Sequence, residues 1–144
     1  MKILATIGYE ASTQADVIGR LKAAGVETVV DVRAIAASRR AGFSKTILAA
    51  SLAEAGIGYV HLRQLGTPKP GREAARKGQI GKMRAIFEDH LAEPAAQLEL
   101  QAAEELASAR KIALLCFEAD HAGCHRSILA ERICDHLGCS VEHL

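Results

Sequence analysis

Short apolar runs alternate with helix-like segments along nearly the whole chain, and this alternation limits the fold more than any other feature. The runs lie at 2–8, 27–32, 58–62 and 111–117, and a fifth, weaker one lies near residue 140. Between them, apolar residues recur at the spacing of an amphipathic helix. Strands that alternate with helices predict a parallel sheet with helices on both faces, because the crossovers are right-handed. We therefore predict a three-layer α/β/α fold, flavodoxin- or Rossmann-like, with a central, mostly parallel sheet of four to five strands.

Capping and breaker residues indicate where the helices between these runs begin and end. Ser12 and Thr13 can cap the first helix, which Gly25 ends. Ser44 can cap the second, which Gly56 ends. Three further helices are predicted at about 79–92, 94–109 and 125–137.

The charge distribution is uneven, although the net charge is only +1. Residues 33–82 contain ten basic and two acidic side chains, a local charge of +8, whereas the remainder of the chain carries −7. Within this basic segment, residues 63–81 contain four glycines and two prolines, which predicts a long, exposed, mobile loop. The asymmetry predicts an anionic partner, either a small molecule or nucleotide or, less specifically, nucleic acid.

The composition is that of one globular domain. Of the 144 residues, 49 % are apolar and 3 % are aromatic, so we expect a core of aliphatic side chains. The amino-terminal apolar run is too short for a signal peptide, and no run reaches the about 18 apolar residues of a membrane span. All four cysteines follow residue 115, and a chain with this much core needs no disulfide framework. We therefore predict a single cytoplasmic domain over 1–144, with no membrane contact.

Polar and reactive residues follow each of the first four predicted strands. In open α/β sheets, ligands bind beyond the carboxyl ends of the strands. We therefore expect the residues at these ends to share one rim of the molecule. They are Tyr9, Glu10, Asp31, Arg33, His61, Cys116, Glu118, Cys124, His125 and Arg126.

Three segments are familiar in combination: TIGYE at the first strand, DVRAIAASRRAGFSK after the second, and CFEADHAGCHR after the fourth. Together they resemble the bacterial and archaeal family named Domain of Unknown Function family 488, over nearly the whole chain. The resemblance implies the fold and the place of the site, but it implies no reaction, because the family has no settled activity. Ala36 stands where the family pattern often has a proline.

A more distant likeness concerns architecture alone. The DVR sequence at one strand end, followed later by a strand that ends in cysteine, resembles the layout of rhodanese and cysteine-phosphatase domains. Those families hold the cysteine and an arginine in one short loop. Here Cys116 and Arg126 are ten positions apart, so that anion-binding loop is not reproduced.

Two cysteines are candidates for chemistry. Cys124 lies in a polar loop at a helix start beside His125 and Arg126, an environment that lowers the pKa of a thiol. Cys116 ends an apolar strand and is either a packing residue or a second reactive thiol. The pair fits covalent catalysis, with His125 or Glu118 transferring protons, and it also fits a reversible Cys116–Cys124 disulfide.

A metal site is the third possibility for the same loop. Its ligands would be Cys116, Cys124, His121 and His125, a combination that suits zinc. The loop lacks the paired CxxC spacing that makes such a prediction specific, so we predict no metal and no other cofactor.

Anion binding has several candidate groups. Arg126 can hold a phosphate or carboxylate at the helix start, or it can pair with Glu118 or Asp120. Asp31 and Arg33 lie on one side of their strand and form either a structural clamp or a ligand contact. No acidic residue occurs from 33 to 45, so the polar residues there form either an anion site or a solvated loop. They are Ser38, Arg39, Arg40, Ser44 and Lys45.

The remaining candidates have plain interpretations. Tyr9 and Glu10 either position a substrate or, in the case of Tyr9, fill the rim. His61 is interpreted as a satisfied rim histidine, and Cys134 and Cys139 as packing residues.

The leading hypothesis is a cysteine-dependent enzyme, a hydrolase or transferase, that acts on an anionic or phosphate-bearing small molecule or nucleotide. In it, Arg33, Arg39 and Arg126 hold the anion while Glu118 and His125 transfer protons. The alternatives are a non-catalytic module that binds nucleotides or nucleic acid, and a redox or metal-binding sensor domain.

Overall fold

The computed structural model describes residues 2–144, and within them it contains a five-stranded sheet and six α-helices. The strands are β1 (Ile3–Gly8), β2 (Thr28–Asp31), β3 (Gly58–His61), β4 (Ile112–Cys116) and β5 (Ser140–His143). The helices are α1 (Gln14–Ala23), α2 (Lys45–Glu54), α3 (Lys69–Arg76), α4 (Ile80–Leu91), α5 (Pro94–Ala109) and α6 (His125–Leu137). Two short 3-10 turns lie at Arg63–Leu65 and His121–Gly123.

All pairings in the sheet are parallel, and the strand order is β3-β2-β4-β1-β5. The predicted three-layer α/β/α fold is confirmed. Each crossover between parallel strands needs a connection long enough to hold a helix, and the chain supplies at least one helix for each. The order differs from that of dinucleotide-binding folds, because β4 lies between β1 and β2.

Two hydrophobic cores lie on opposite faces of the sheet. One contains residues of α1 and α2 with Val29, Ala113 and Leu115, and the other contains residues of α3 to α6 with Val30 and Leu114. Adjacent strand residues alternate between the cores because side chains of a strand point to opposite faces in turn. This alternation places Cys116 on the face of α3 to α6.

The carboxyl end of β4 is a topological switch point. The chain leaves β1 and β2 toward the α1 and α2 face, whereas it leaves β3 and β4 toward the opposite face. Since β4 lies between β1 and β2, the loop that leaves β4 diverges from the loops on its two sides, and a crevice forms at its end. Arg33 and Cys116, at the ends of β2 and β4, both border that crevice.

The predicted loop at 63–81 is the main error in secondary structure. Most of it is ordered as the turn Arg63–Leu65 and helix α3. Pro70 lies in the first turn of α3, where a missing backbone N–H costs little. Gly71 is tolerated within the helix because its Cα packs close to Thr67, with no room for a Cβ. The mobility of this stretch stays a prediction.

The helix starts partly follow the predicted caps. Thr13 is the N-cap of α1 and accepts a hydrogen bond from the Asp16 backbone N–H at 3.1 Å. Ser44 occupies the N-cap position of α2, yet its hydroxyl bonds to the backbone of Ser38 instead of the helix. Across residues 2–144, we find no helix with the length and apolar character needed to cross a membrane.

Candidate active site

A cavity of about 140 Å³ lies at the switch point, beyond the carboxyl ends of β1, β2 and β4. Six residues that the sequence placed on one rim line this cavity together. They are Tyr9, Arg33, Cys116, Glu118, Cys124 and His125. The structure therefore brings the end of β4, the start of α6 and the exit of β2 around one hollow.

The sulfur atoms of Cys116 and Cys124 are joined at the wall of this cavity. Cys116 is the last residue of β4, and Cys124 is the N-cap of α6. The structure records them as a disulfide across a Cα separation of 7.6 Å. Their exposed fractions are only 1 % and 2 %, so the cavity is the route by which a small molecule reaches either sulfur.

Arg126 supports Cys116 from within the protein. Its Nη1 donates hydrogen bonds to Cys116 Sγ, at 2.9 Å, and to the Glu118 carbonyl, while Nη2 donates to the Ala119 carbonyl at 3.1 Å. Burial lowers the pKa of Arg126, but a guanidinium titrates so far above neutrality that it stays charged. A buried cation in contact with the sulfur favours the thiolate form of reduced Cys116.

Glu118 places a carboxyl group beside the same sulfur. Its Oε2 lies 3.4 Å from Cys116 Sγ, and burial raises the pKa of this half-buried side chain above its usual value. A carboxyl group with a raised pKa holds its proton closer to neutral pH and can donate it to a leaving group.

His125 is held in one tautomer. Its Nε2 lies 2.7 Å from the Val32 carbonyl, which can only accept, so Nε2 carries the hydrogen and Nδ1 is the free acceptor. Nδ1 faces Cys124 Sγ at 3.7 Å. Burial lowers the pKa of His125 to about 4, so the ring is neutral at neutral pH. It can orient the Cys124 thiol through a hydrogen bond, but it is a weak proton acceptor.

Asp31 and Arg33 form a buried, bidentate ion pair. Arg33 Nε donates to Asp31 Oδ1 at 2.9 Å, and Nη2 donates to Oδ2 at 2.7 Å. Nη1 donates to the Tyr9 hydroxyl at 3.1 Å and to the Phe43 carbonyl at 2.7 Å. The geometry is that of the structural clamp, because the charge of Arg33 is already neutralised by Asp31.

A family model matches residues 13–133, which span α1 to most of α6. The chain belongs to the family Domain of unknown function DUF488. The resemblance drawn from the three segments is thereby confirmed, although the TIGYE segment precedes the matched range. Neither a curated protein nor a solved structure matches the chain. The likeness to rhodanese and cysteine-phosphatase domains stays a prediction.

Tyr9 and Glu10 support the cavity of this DUF488 domain in different ways. The Tyr9 ring stacks on Phe43 at a centroid distance of 4.3 Å and meets Phe117 edge-on. Glu10 is exposed, and its Oε1 accepts a hydrogen bond from the Ala119 backbone at 3.2 Å. Tyr9 therefore fills the rim and contacts the cavity, whereas Glu10 fixes the loop that follows β4.

The residues predicted as a separate anion site are not at the cavity. Arg40 Nη2 donates to the Ser12 carbonyl at 2.6 Å, and Ser44 bonds to Ser38. Arg39 is exposed to solvent. Lys45 is exposed and lies at the edge of a different, shallow depression. It begins α2, which packs on the face of the sheet opposite to α3.

Residues of α3, α4 and the segment just before α3 complete the cavity, and sequence reasoning missed them. They are Thr67, Arg72, Ala75 and Met83, together with Ala34, Ile35, Phe117 and Gly123 from the strand exits and the loop before α6. Arg72 lies in the basic segment 33–82, for which the sequence predicts an anionic partner but no position at the cavity. The helical spacing of Gly71, Ala74 and Ala75 is a signal that could have placed this helix against the sheet.

Two glycines permit the close backbone approaches at the site. A Cβ on Gly8 would lie 1.8 Å from the Glu118 carbonyl oxygen, and one on Gly66 would lie 2.3 Å from the Ala34 backbone nitrogen. Backbone atoms cannot move aside as a flexible side chain can. These positions therefore require glycine because of close approach to the chain rather than because of their φ angles.

Three donor atoms at the site could hold a metal ion. The ligand atoms of Cys116, Glu118 and Cys124 lie within 4.8 Å of one another. This set contains both cysteines of the predicted one, but it has Glu118 in place of His121 and His125. The Arg126 cation against Cys116 opposes a divalent ion there.

The other two cysteines are also joined. Cys134 and Cys139 form a disulfide with a Cα separation of 4.6 Å, and both contact the core formed with α3 to α6. The prediction that they pack in the core is correct but incomplete. The sequence predicted no disulfide framework and left a reversible Cys116–Cys124 disulfide open, whereas the structure pairs all four cysteines.

His61, interpreted as a satisfied rim histidine, has a backbone partner. Its Nε2 lies 2.8 Å from the Arg33 carbonyl, so it supports the strand exit from outside the cavity.

Proposed function

We propose that this DUF488 domain is a dithiol enzyme that reduces a small electrophilic substrate, with Cys116 and Cys124 as its reacting groups. The observation that carries the proposal is the contact between the two sulfurs at the wall of the cavity. Two thiols so placed can supply two electrons and become a disulfide.

Cys116 is the attacking residue in this proposal. The Arg126 guanidinium donates to its sulfur at 2.9 Å and favours the thiolate, which is the nucleophilic form. Glu118, with its oxygen 3.4 Å from the same sulfur and its pKa raised by burial, donates a proton to the leaving group. The sequence hypothesis left the choice between Cys124 and Cys116 open.

Cys124 completes the reaction. For a small disulfide substrate, Cys116 attacks one sulfur, the substrate S–S bond breaks, and the departing thiolate takes the proton of Glu118. Cys124 then loses its proton to solvent and attacks Cys116 Sγ, which releases the second half of the substrate as a thiolate. The enzyme ends as the Cys116–Cys124 disulfide, and two molecules of a small thiol reduce it again and leave joined as a disulfide. A reducing compartment such as the cytoplasm supplies that thiol, so we include a cytoplasmic location in the proposal.

The test uses 5,5′-dithiobis(2-nitrobenzoate), a small disulfide that releases a coloured thiolate. Reduced wild-type protein should release two thiolates rapidly at the site, because Cys124 resolves the mixed disulfide. Cys124→Ser should release one and remain joined to the reagent at Cys116, which mass spectrometry detects. In Cys116→Ser the rate of thiolate release should fall at least about tenfold, since the thiolate stabilised by Arg126 is gone.

The Cys134 and Cys139 pair provides the control. A Cys134→Ser/Cys139→Ser protein should keep the rapid release, because these sulfurs lie away from the cavity. If Cys116→Ser reacts as fast as the wild type, the proposal fails.

A second candidate function is binding of a polyanion by the basic segment. The observation that favours this function is a group of five exposed cations on or beside α3 and the start of α4. They are Arg63, Lys69, Arg76, Lys77 and Lys82. Such a surface binds phosphate backbones without sequence preference. In this candidate function the cysteines have no role.

A further inference from the structure

Arg72 differs from Arg33, the other arginine that lines the cavity, in having no carboxylate partner. Arg33 is paired with Asp31, and the Arg126 guanidinium is enclosed by Cys116 and two carbonyl groups. Arg72 is half-buried on α3, and its Nη1 donates to the Thr67 carbonyl at 2.8 Å. Among residues 2–144, no carboxylate forms an ion pair with it.

The charge balance of the cavity favours an anion. Of its lining residues, Glu118 has the only carboxyl group, and burial raises the pKa of that group. Arg72 contributes a full positive charge to the same wall, and the positive charge of Arg33 is matched by Asp31 behind it. A partly enclosed cation interacts with a bound anion more strongly than one in open solvent.

Close packing just before α3 and in its first turn fixes the position of Arg72. Gly66 lies against the Ala34 backbone, and Gly71 lies against the Thr67 side chain, with no space for a Cβ at either position. Thr67 is buried at 4 % exposure. These contacts fix the first turn of α3 against the exit of β2 and hold Arg72 at the cavity wall.

We propose that Arg72 binds the anionic group of the substrate while Cys116 attacks its electrophilic atom, so the substrates are small anions, typically carboxylates. This inference rests on the proposed thiol chemistry and adds the substrate class. The cavity of about 140 Å³ suits a small molecule. The guanidinium of Arg72 can bind a carboxylate of the substrate, because the paired N–H groups of arginine match the two carboxylate oxygens.

Iodoacetate and iodoacetamide form a matched pair of probes, because they differ chiefly in charge. In both, the Cys116 thiolate forms an S–C bond, the C–I bond breaks, and iodide leaves. The alkylation rate at Cys116 is followed in reduced protein by peptide mass spectrometry. Arg72→Gln should lower the ratio of the iodoacetate rate to the iodoacetamide rate about fivefold to tenfold, and Arg72→Lys should lower it less.

Arg76→Gln is the control for general electrostatics. Arg76 lies on the same helix and carries the same charge, but its side chain is exposed and does not line the cavity. Its replacement should leave the ratio within about twofold of the wild type, because solvent and salt screen an exposed charge.

The outcomes separate this inference from the proposed function. Rapid alkylation of Cys116 with a ratio unchanged in Arg72→Gln would overturn the role of Arg72 and leave the thiol chemistry standing. An equal loss of both rates would show that Arg72 acts only through the fold, and it too would overturn the inference. Slow alkylation of wild-type Cys116 by both reagents would overturn the thiol chemistry and the inference with it.

Discussion

The imidazole of His125 lies between two partners that determine where its proton sits. The Val32 carbonyl accepts from Nε2, and the Cys124 sulfur faces Nδ1. The ring also packs against Phe87 at a centroid distance of 5.1 Å, so it is surrounded by apolar material on that side. Burial therefore disfavours the charged form, and the pKa falls to about 4.

This depressed pKa predicts a pH dependence of stability. Unfolded histidine titrates near its ordinary value of 6.5, so between about pH 6.5 and 4 the unfolded chain binds a proton that folded His125 does not. The free energy of unfolding should be fully maintained above this window and should fall as the pH drops through it. The loss is on the order of 3 kcal/mol.

Urea unfolding at a series of pH values would measure this loss. His125→Gln keeps an N–H donor for Val32 but does not titrate, so its stability should fall less between pH 6.5 and 4. His136→Gln is the control, because His136 is exposed. An identical pH slope in His125→Gln and the wild type would contradict the prediction.

Asp31 and Arg33 show why single residues at this site resist assignment from sequence. Either residue alone is an ordinary candidate for binding a ligand. Together, at 0 % and 6 % exposure, they neutralise each other and join β2 to Tyr9 and Phe43. Removing either residue would leave the charge of the other buried and unpaired, which destabilises the fold. The pair therefore has a structural role rather than a ligand-binding one.

At the scale of elements, the loop from β4 to α6 depends on the end of β1. Gly8 pairs with Cys116 in the sheet, and the Glu118 carbonyl lies directly over its Cα. The same carbonyl accepts a hydrogen bond from Arg126. Two strands and one helix therefore meet at a point where one Cβ would not fit.

Gly8→Ala should destabilise the protein by about 1–3 kcal/mol, because the new Cβ would collide with the Glu118 backbone. It should also slow the reaction of Cys116, since Arg126 would lose its position. Urea unfolding and thiol alkylation measure the two effects.

Gly19→Ala in α1 is the matched control for Gly8→Ala. Nothing lies within 4 Å of the Cβ it would add, and alanine favours the helix by about 0.5–1 kcal/mol. Equal stability of the Gly8→Ala and Gly19→Ala proteins would count against the close approach.

At the scale of the whole molecule, the basic segment divides into two populations. Arg33 and Arg72 line the cavity, and Arg40 bonds to the backbone of Ser12. The exposed cations of α3 and the start of α4 remain in solvent. The charge asymmetry of the sequence therefore describes both a site and a surface, which carry different functional hypotheses.

The polyanion hypothesis makes its own prediction. Binding of a single-stranded oligonucleotide should weaken as salt rises, with a logarithmic slope set by the number of phosphate contacts. Replacing Lys69, Arg76 and Lys77 by Gln should reduce that slope by roughly one to three. Fluorescence anisotropy across a salt series measures both.

Three exposed cations elsewhere serve as the control set, namely Lys22, Arg110 and Arg132. Their replacement by Gln removes the same charge from other parts of the surface. If both triple variants weaken binding equally, the oligonucleotide responds only to net charge and the basic surface is not a specific interface.

The alternation of apolar runs and helical spacing determined the layered fold from the sequence alone. The predicted strands and most helices match closely, and helix α5 begins and ends as expected. Helix α3 was missed because Pro70 and Gly71 usually break helices, whereas here the first is in the initial turn and the second packs against Thr67. Local rules could not show that packing.

The sequence by itself determined which strand ends meet, because parallel strands separated by helices must bring their carboxyl ends to one edge. Only the tertiary structure decided which of the residues there face the cavity and with what charge. It neutralised Arg33 with Asp31 and placed Arg126 against Cys116. It also brought Arg72 from a separate helix to the cavity wall. These outcomes depend on contacts between distant segments, and no local pattern of residues contains them.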